Sequence, residues 1–176
     1  MSSNRHTKIR KPLDSDALGR LAVHYVSRYA TTCVKLNGYL RRKVQERGWS
    51  GDEPADYDAI VARCAALGYV DDRVFAETRA ASLGRRGYGA RRIGVALQGA
   101  GISRDIVIDV MPDDAAKFAA AEIYARRKRI GVFGPAHSDE KLRNRQFAAM
   151  LRAGHGFDLA KRFVSAVSRS LESEDR

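Results

Sequence analysis

The chain has 176 residues, 44% of them hydrophobic, which suffices for one ordinary domain or a few small helical modules sharing their cores and excludes wholesale disorder. Its 32 Lys plus Arg against 21 Asp plus Glu give a formal charge of +11, which points to a polyanionic or acidic partner and says nothing about fold. No stretch approaches the roughly 18 apolar residues of a membrane span, and the start MSSNRHTKIRKPLDSD lacks the apolar core of a secretory signal, so no membrane partner and a location in the cytoplasm are expected.

Only four prolines, abundant alanine and leucine, and little β-branched alternation predict an all-α fold. Residues 1–14 read as a flexible basic N-terminal arm. Leu18, Leu21, Ala22, Tyr25, Val26 and Tyr29 then recur at spacings of three and four, the stripe of an amphipathic helix, with Ser15 or Asp16 as its cap. His24 falls near that stripe and reads as structural. Thr31 and Thr32 interrupt the run. A second helix carries Cys33, Leu36, Leu40 and Val44 on one side, with Lys35, Arg41, Arg42, Lys43 and Arg47 mostly on the others, and Gly48 as its stop. The acidic turn SGDEPAD leads to a third helix with Ile60, Val61, Cys64 and Leu67, ended by Gly68.

The same grammar returns twice. Asp71 and Asp72 are positioned to cap a helix with Phe75, Ala76, Thr78 and Arg79. After the link GRRGYG, a helix bearing Ile93, Ala96 and Leu97 stops near Gly99 or Gly101, and Ser103 caps a short helix with Ile106, Val107 and Val110. Pro112, Asp113 and Asp114 suit the first turn of the next helix, which carries Phe118, Ala119, Glu122 and Ile123 and runs into ARRKR. A flexible stretch, IGVFGPAHSD, precedes a helix with Leu142, Gln146, Ala149 and Met150. Beyond Gly154, His155 and Gly156, the last helix shows Phe157, Ala160, Phe163, Val164 and Val167.

Modules are thus expected at 15–69, 70–111 and 112–170, with a polar tail at 171–176. Units this small cannot bury their own apolar stripes and must stack. The expected architecture is an elongated tandem array of three three-helix repeats, and the high charge favours a monomer.

Arginine clusters recur beside the turns: Arg41 and Arg42, Arg85 and Arg86, Arg91 and Arg92, then Arg126, Arg127, Lys128 and Arg129. Together they form a candidate band for phosphates or acidic side chains, although any single pair is equally an ordinary solvated helix surface. RRGYGARRI, residues 85–93, is the most distinctive segment. Gly87 and Gly89 permit backbone angles barred to other residues. Tyr88 between them either packs as a hinge anchor, the favoured reading, or is offered to a partner. The helix start beyond it could receive an anion on its amides.

Chemistry is hard to find. The segment lacks the Lys-Ser or Lys-Thr of a nucleotide loop. His6, His24, His137 and His155 form no HExxH or Cys-His arrangement, Cys33 and Cys64 read as small core residues, and capping accounts for the paired aspartates. No catalytic residue, metal site or cofactor is expected. A helix-turn-helix reader over Ile93 to Val110 is disfavoured, because IVIDV is too apolar and acidic to read bases.

ALGRLAVHYVSRYA, LNGYLRRKV, ALGYVDDRVFAE, RRGYGARRI, QGAGIS and HGFDLAKRFV occur in that order over residues 17–167, and with them the chain resembles the RecX family of regulatory proteins. The resemblance implies a cytoplasmic, non-enzymatic protein of tandem three-helix repeats that lodges in the groove of the RecA recombinase filament. It would restrain strand exchange, ATP hydrolysis and coprotease activity in recombination, DNA repair and the SOS response. It matches Arg85, Arg86, Arg91 and Arg92 to the family's basic central motif, and Tyr69, Val70, Asp71, Asp72 and Phe75 to a structural junction. The chain departs from the family pattern in its longer, threonine-containing junction at residues 31–37 and in His155, where an arginine is frequent. Single- or double-stranded DNA is a possible further partner. The alternative is a stand-alone basic nucleic-acid-binding protein, which would bind DNA tightly without recombinase and lose affinity steeply with salt.

Overall fold

The computed structural model describes residues 11–135 and 139–165. Among them the regular structure is helical: α1 Ser15–Val26, α2 Cys33–Arg47, α3 Tyr57–Ala66, α4 Asp72–Arg85, α5 Ala90–Gln98, α6 Arg104–Asp109, α7 Asp114–Lys128, a 3-10 turn Gly131–Phe133, α8 Glu140–Arg152 and α9 Phe157–Ser165. The chain divides into two compact units, one up to Asp72 and the other from Arg73 onward.

In the first unit, α1 begins one residue earlier than its expected caps. Asp14, extended at φ −102°, accepts the amide of Ala17, leaving Asp16 in the first turn where it complements the helix dipole. Leu18 and Ala22 face Leu36, Leu40, Val61 and Cys64 across a closed core, while His24 lies exposed on the opposite side. Leu13 is fully buried in that core. Its amide donates to the Gly48 carbonyl and its carbonyl accepts from Ser50, so residues 11–14 are built into the unit and are not a free arm. Residues 1–10 of the expected arm lie outside the described residues. The threonine junction closes α2 twice over: the Thr32 hydroxyl accepts from Lys35, and Asp72 accepts the amide of Cys33 at 2.9 Å. Asp72 therefore serves the start of α2. Gly48 ends α2 and Gly68 follows α3, as their sequence positions imply.

The second unit contains two helical triplets. α4, α5 and α6 close over Ala76, Leu83, Ile93, Leu97 and Val107, and α7, α8 and α9 over Tyr124, Ile130, Met150, Phe163 and Val164. α7 turns a different face inward from the one its bulkier residues suggest. Ala120, Ala121, Tyr124 and Ala125 are buried, while Phe118 and Ile123 are 37% and 41% exposed. In AAKFAAAEIYARRK two stripes compete, and the alanine stripe wins because the backbone of the 85–89 link passes directly over it. The stretch after α7, expected to be flexible, is anchored at its start: Ile130 is buried, and Gly131 sits against the Phe163 carbonyl. Residues 136–138, Val167 and the 171–176 tail lie outside the described residues.

Truncating Leu13 to Ala should cost about 2–5 kcal/mol in urea denaturation, the range for a fully buried leucine. An unchanged midpoint would remove residues 11–14 from the core.

Candidate functional site

The segment 85–93 forms a junction between the two triplets of the second unit. After α4 the chain reverses at Gly87, whose φ of +77° favours glycine and whose absent side chain matters equally, since a Cβ would lie 2.9 Å from the Tyr124 amide nitrogen. Gly89 is different. Its φ of −78° suits any residue, so the requirement there is space alone: a side chain would be driven into the Gly154 carbonyl. Gly154, at φ +94°, would in turn press a Cβ onto the Arg92 amide.

With no side chains between them, the two backbones bond directly. The amide of Gly89 donates to the Ala153 carbonyl at 2.9 Å and that of Arg91 to the Gly154 carbonyl at 3.1 Å. The amides of Arg92 and Ile93 are used by the Gly89 carbonyl. Anion binding at these amides, which the sequence left open, is therefore pre-empted by protein carbonyls. His155 closes the strap: its Nε2 donates to the Gly87 carbonyl at 3.1 Å, and its buried Nδ1 has no partner among the described residues. Burial pulls the His155 pKa below its usual value of 6.5, only partly offset by the Gly87 bond, so the imidazole is neutral at pH 7.

Cations surround this strap. Half-buried Tyr88 packs against both cores and carries the Arg92 guanidinium 4.4 Å and the Arg86 guanidinium 5.3 Å from its ring centre. Arg127 lies 5.4 Å over the Tyr124 ring and donates to the Arg86 carbonyl at 2.7 Å. Ring faces and a carbonyl thus hold like charges close together. Arg85 and Arg91 are exposed and make no side-chain ion pair among the described residues. Arg91 and Arg92 line a cleft with Arg152, over a floor of Val95, Ala96 and Leu151.

The remaining candidates lie outside this cluster. Arg126 pairs with Glu122 at 2.7 Å and covers Phe133. Lys128 and Arg129 stand exposed at the C-terminal end of α7, where cations complement the helix dipole. In the first unit, Arg41 donates to Asn37 and covers Tyr57, and Arg42 reaches Glu46 and the Tyr39 ring. Arg86, Tyr88, Arg92 and Arg127 are brought together, and the Arg41–Arg42 pair belongs to the other unit. Tyr124, Arg152, Gly154 and His155 complete the site and were not marked as site residues by sequence. Their available signal was the glycine-flanked HGF segment. Among the described residues no group of His, Cys, Asp and Glu could hold a metal ion, and desolvation pushes the Cys33 and Cys64 thiols up.

A family model described as "RecX, second three-helix domain" matches residues 71–111, which contain α4 to α6. The regulatory protein RecX of Myxococcus xanthus is 33% identical over 159 residues, covering 85% of this chain and 84% of that protein. Its counterpart from Thermus thermophilus is 29% identical over 131 residues, covering 74% and 82%. The crystal structure of RecX from Lactobacillus salivarius shares the fold at a TM-score of 0.66 and 19% identity, over 88% of this chain and 96% of that one.

Two outcomes follow for the strap. Gly89→Ala should destabilise the second unit by about 2 kcal/mol or more, since backbone and not a flexible side chain blocks the added carbon. Wild-type stability under urea would refute the close approach. For His155, the unfolded chain takes up a proton as pH falls through about 6.5 while the native imidazole stays neutral, so stability drops from there to the lower native pKa and is flat below it. His155→Gln should remove that component between pH 7.5 and 5.5, whereas parallel stability curves for the two proteins would contradict it.

Proposed function

The chain belongs to the RecX family of regulatory proteins, and from that premise we propose that it binds a RecA recombinase filament and restrains its ATPase, strand-exchange and coprotease activities. The observation that carries this reading is the junction itself, where Arg86, Arg92 and Arg127 are packed around Tyr88 and Tyr124. A strap of backbone hydrogen bonds holds their arrangement in place. A pre-set cationic surface loses little side-chain freedom on meeting acidic groups, and its guanidinium forks suit carboxylates and phosphates alike.

A recombinase filament on DNA offers both chemistries at a regular repeat. Arg85 and Arg91 extend the cationic surface, and Arg41 with Arg42 supply a second contact from the first unit. Two modest contacts on one filament reinforce each other when their spacing matches. Bound in this way, the chain bridges neighbouring protomers and obstructs growth or the closed, active arrangement. It acts by occupancy, as a cytoplasmic monomer, with neither cofactor nor metal.

The test is RecA-dependent ATP hydrolysis on single-stranded DNA, titrated with the chain while binding to DNA alone is followed in the same buffer. Inhibition is expected at concentrations too low to coat the free DNA and at fewer than one chain per protomer. Inhibition that only tracks DNA masking would replace this reading with the stand-alone nucleic-acid-binding one. Charge reversal at Arg85 and Arg91, exposed positions whose loss leaves the fold intact, should raise the half-inhibitory concentration about tenfold or more, as losing charge-assisted contacts does. An unaltered titration would exclude the junction as the contact surface.

A further inference from the structure

The first unit carries an aromatic cluster edged by cations, of which the filament reading uses Arg42 alone. The Tyr25 and Tyr39 rings stack with centres 4.1 Å apart and planes 16° apart, and Tyr29 leans on Tyr25 at 5.2 Å. The Tyr29 amide still bonds to the Tyr25 carbonyl beyond the end of α1, which keeps the two side chains on one face. Tyr25 and Tyr39 pack on the core edge, whereas Tyr29 is 57% exposed and contributes nothing to that core. A recess of about 420 Å³ at this point is lined by His24, Tyr25, Arg28, Tyr29, Tyr39 and Lys43. Arg42 and Lys43 both approach the Tyr39 ring. Glu46 pairs with those two cations, while the Arg28 side chain has no ion-pair partner among the described residues.

We propose that this surface binds single-stranded nucleic acid, with a base stacked on Tyr29 and flanking phosphates reached by Arg28 and Lys43. The combination decides the ligand. The open Tyr29 ring, tilted 44° against the stacked Tyr25–Tyr39 pair, offers a stacking face that accepts any base, and cations at its margin follow a backbone. A duplex keeps its base faces covered by one another and cannot use the rings. An acidic peptide satisfies Arg28 but leaves the Tyr29 face idle, and an apolar peptide buries the Arg28 guanidinium without a partner. The site is on the first unit and is measured on the chain alone, so it stands or falls apart from the recombinase reading.

The test is fluorescence anisotropy of the full chain with a labelled oligothymidine, an abasic strand of the same length and a duplex, at low salt. Tyr29→Ala should weaken oligothymidine binding about five- to tenfold, the effect of one lost base–aromatic stack, while Tyr29→Phe stays within about twofold. The abasic strand should bind the wild type at the weakened level and be insensitive to Tyr29→Ala. Arg28→Glu, at a second exposed position, should weaken both strands. Equal affinity of Tyr29→Ala and wild type for oligothymidine, equal binding of abasic and thymidine strands, or displacement of the oligonucleotide by polyglutamate at matched charge would each overturn the proposal.

Discussion

The second unit depends on a single close approach, that of the Gly89 backbone to the Gly154 backbone. Because neither residue carries a side chain, the start of α5 can give two amides to the turn between α8 and α9, and helices distant in sequence become one packed body. Gly87 and His155 fix the same seam from the other side. The seam decides where Tyr88 lies, and Tyr88 with Tyr124 decides where the neighbouring guanidiniums rest. A backbone feature thereby becomes an electrostatic one.

That surface is costly to assemble without compensation, since like charges repel at these separations. The compensation is local. Tyrosine faces carry negative potential toward Arg86, Arg92 and Arg127, the Arg86 carbonyl accepts from Arg127, and Glu122 neutralises Arg126. The cations are therefore not equivalent: Arg126 is committed to Glu122 within the fold, whereas Arg85 and Arg91 face solvent and remain available. The first unit repeats this pattern on a smaller scale, with Arg41 and Arg42 each tied to a neighbour and a ring.

Local grammar was well written in the sequence, and contacts between distant segments were not. Gly48 as a stop and the order of helices follow from interactions within a few residues, so they were readable. The inward face of α7 was not, because its alanine stripe is selected by the passing link and not by hydrophobicity. The Tyr25–Tyr29 spacing reads as a core stripe, yet α1 ends at Val26 and Tyr29 projects past the core it was expected to join. Gly89 looks like a residue needed for its backbone angle and is needed for space. The arginine clusters were visible, but only the fold separates those gathered at the junction from those engaged elsewhere.

Arginine-selective chemical modification, read by mass spectrometry with and without recombinase filaments on single-stranded DNA, tests the central claim most directly. The account predicts that Arg85, Arg91 and Arg92 become protected on the filament while Arg104, exposed and outside the junction segment, keeps reacting. Unchanged reactivity of Arg85 and Arg91 on a filament whose ATP hydrolysis is inhibited would contradict it.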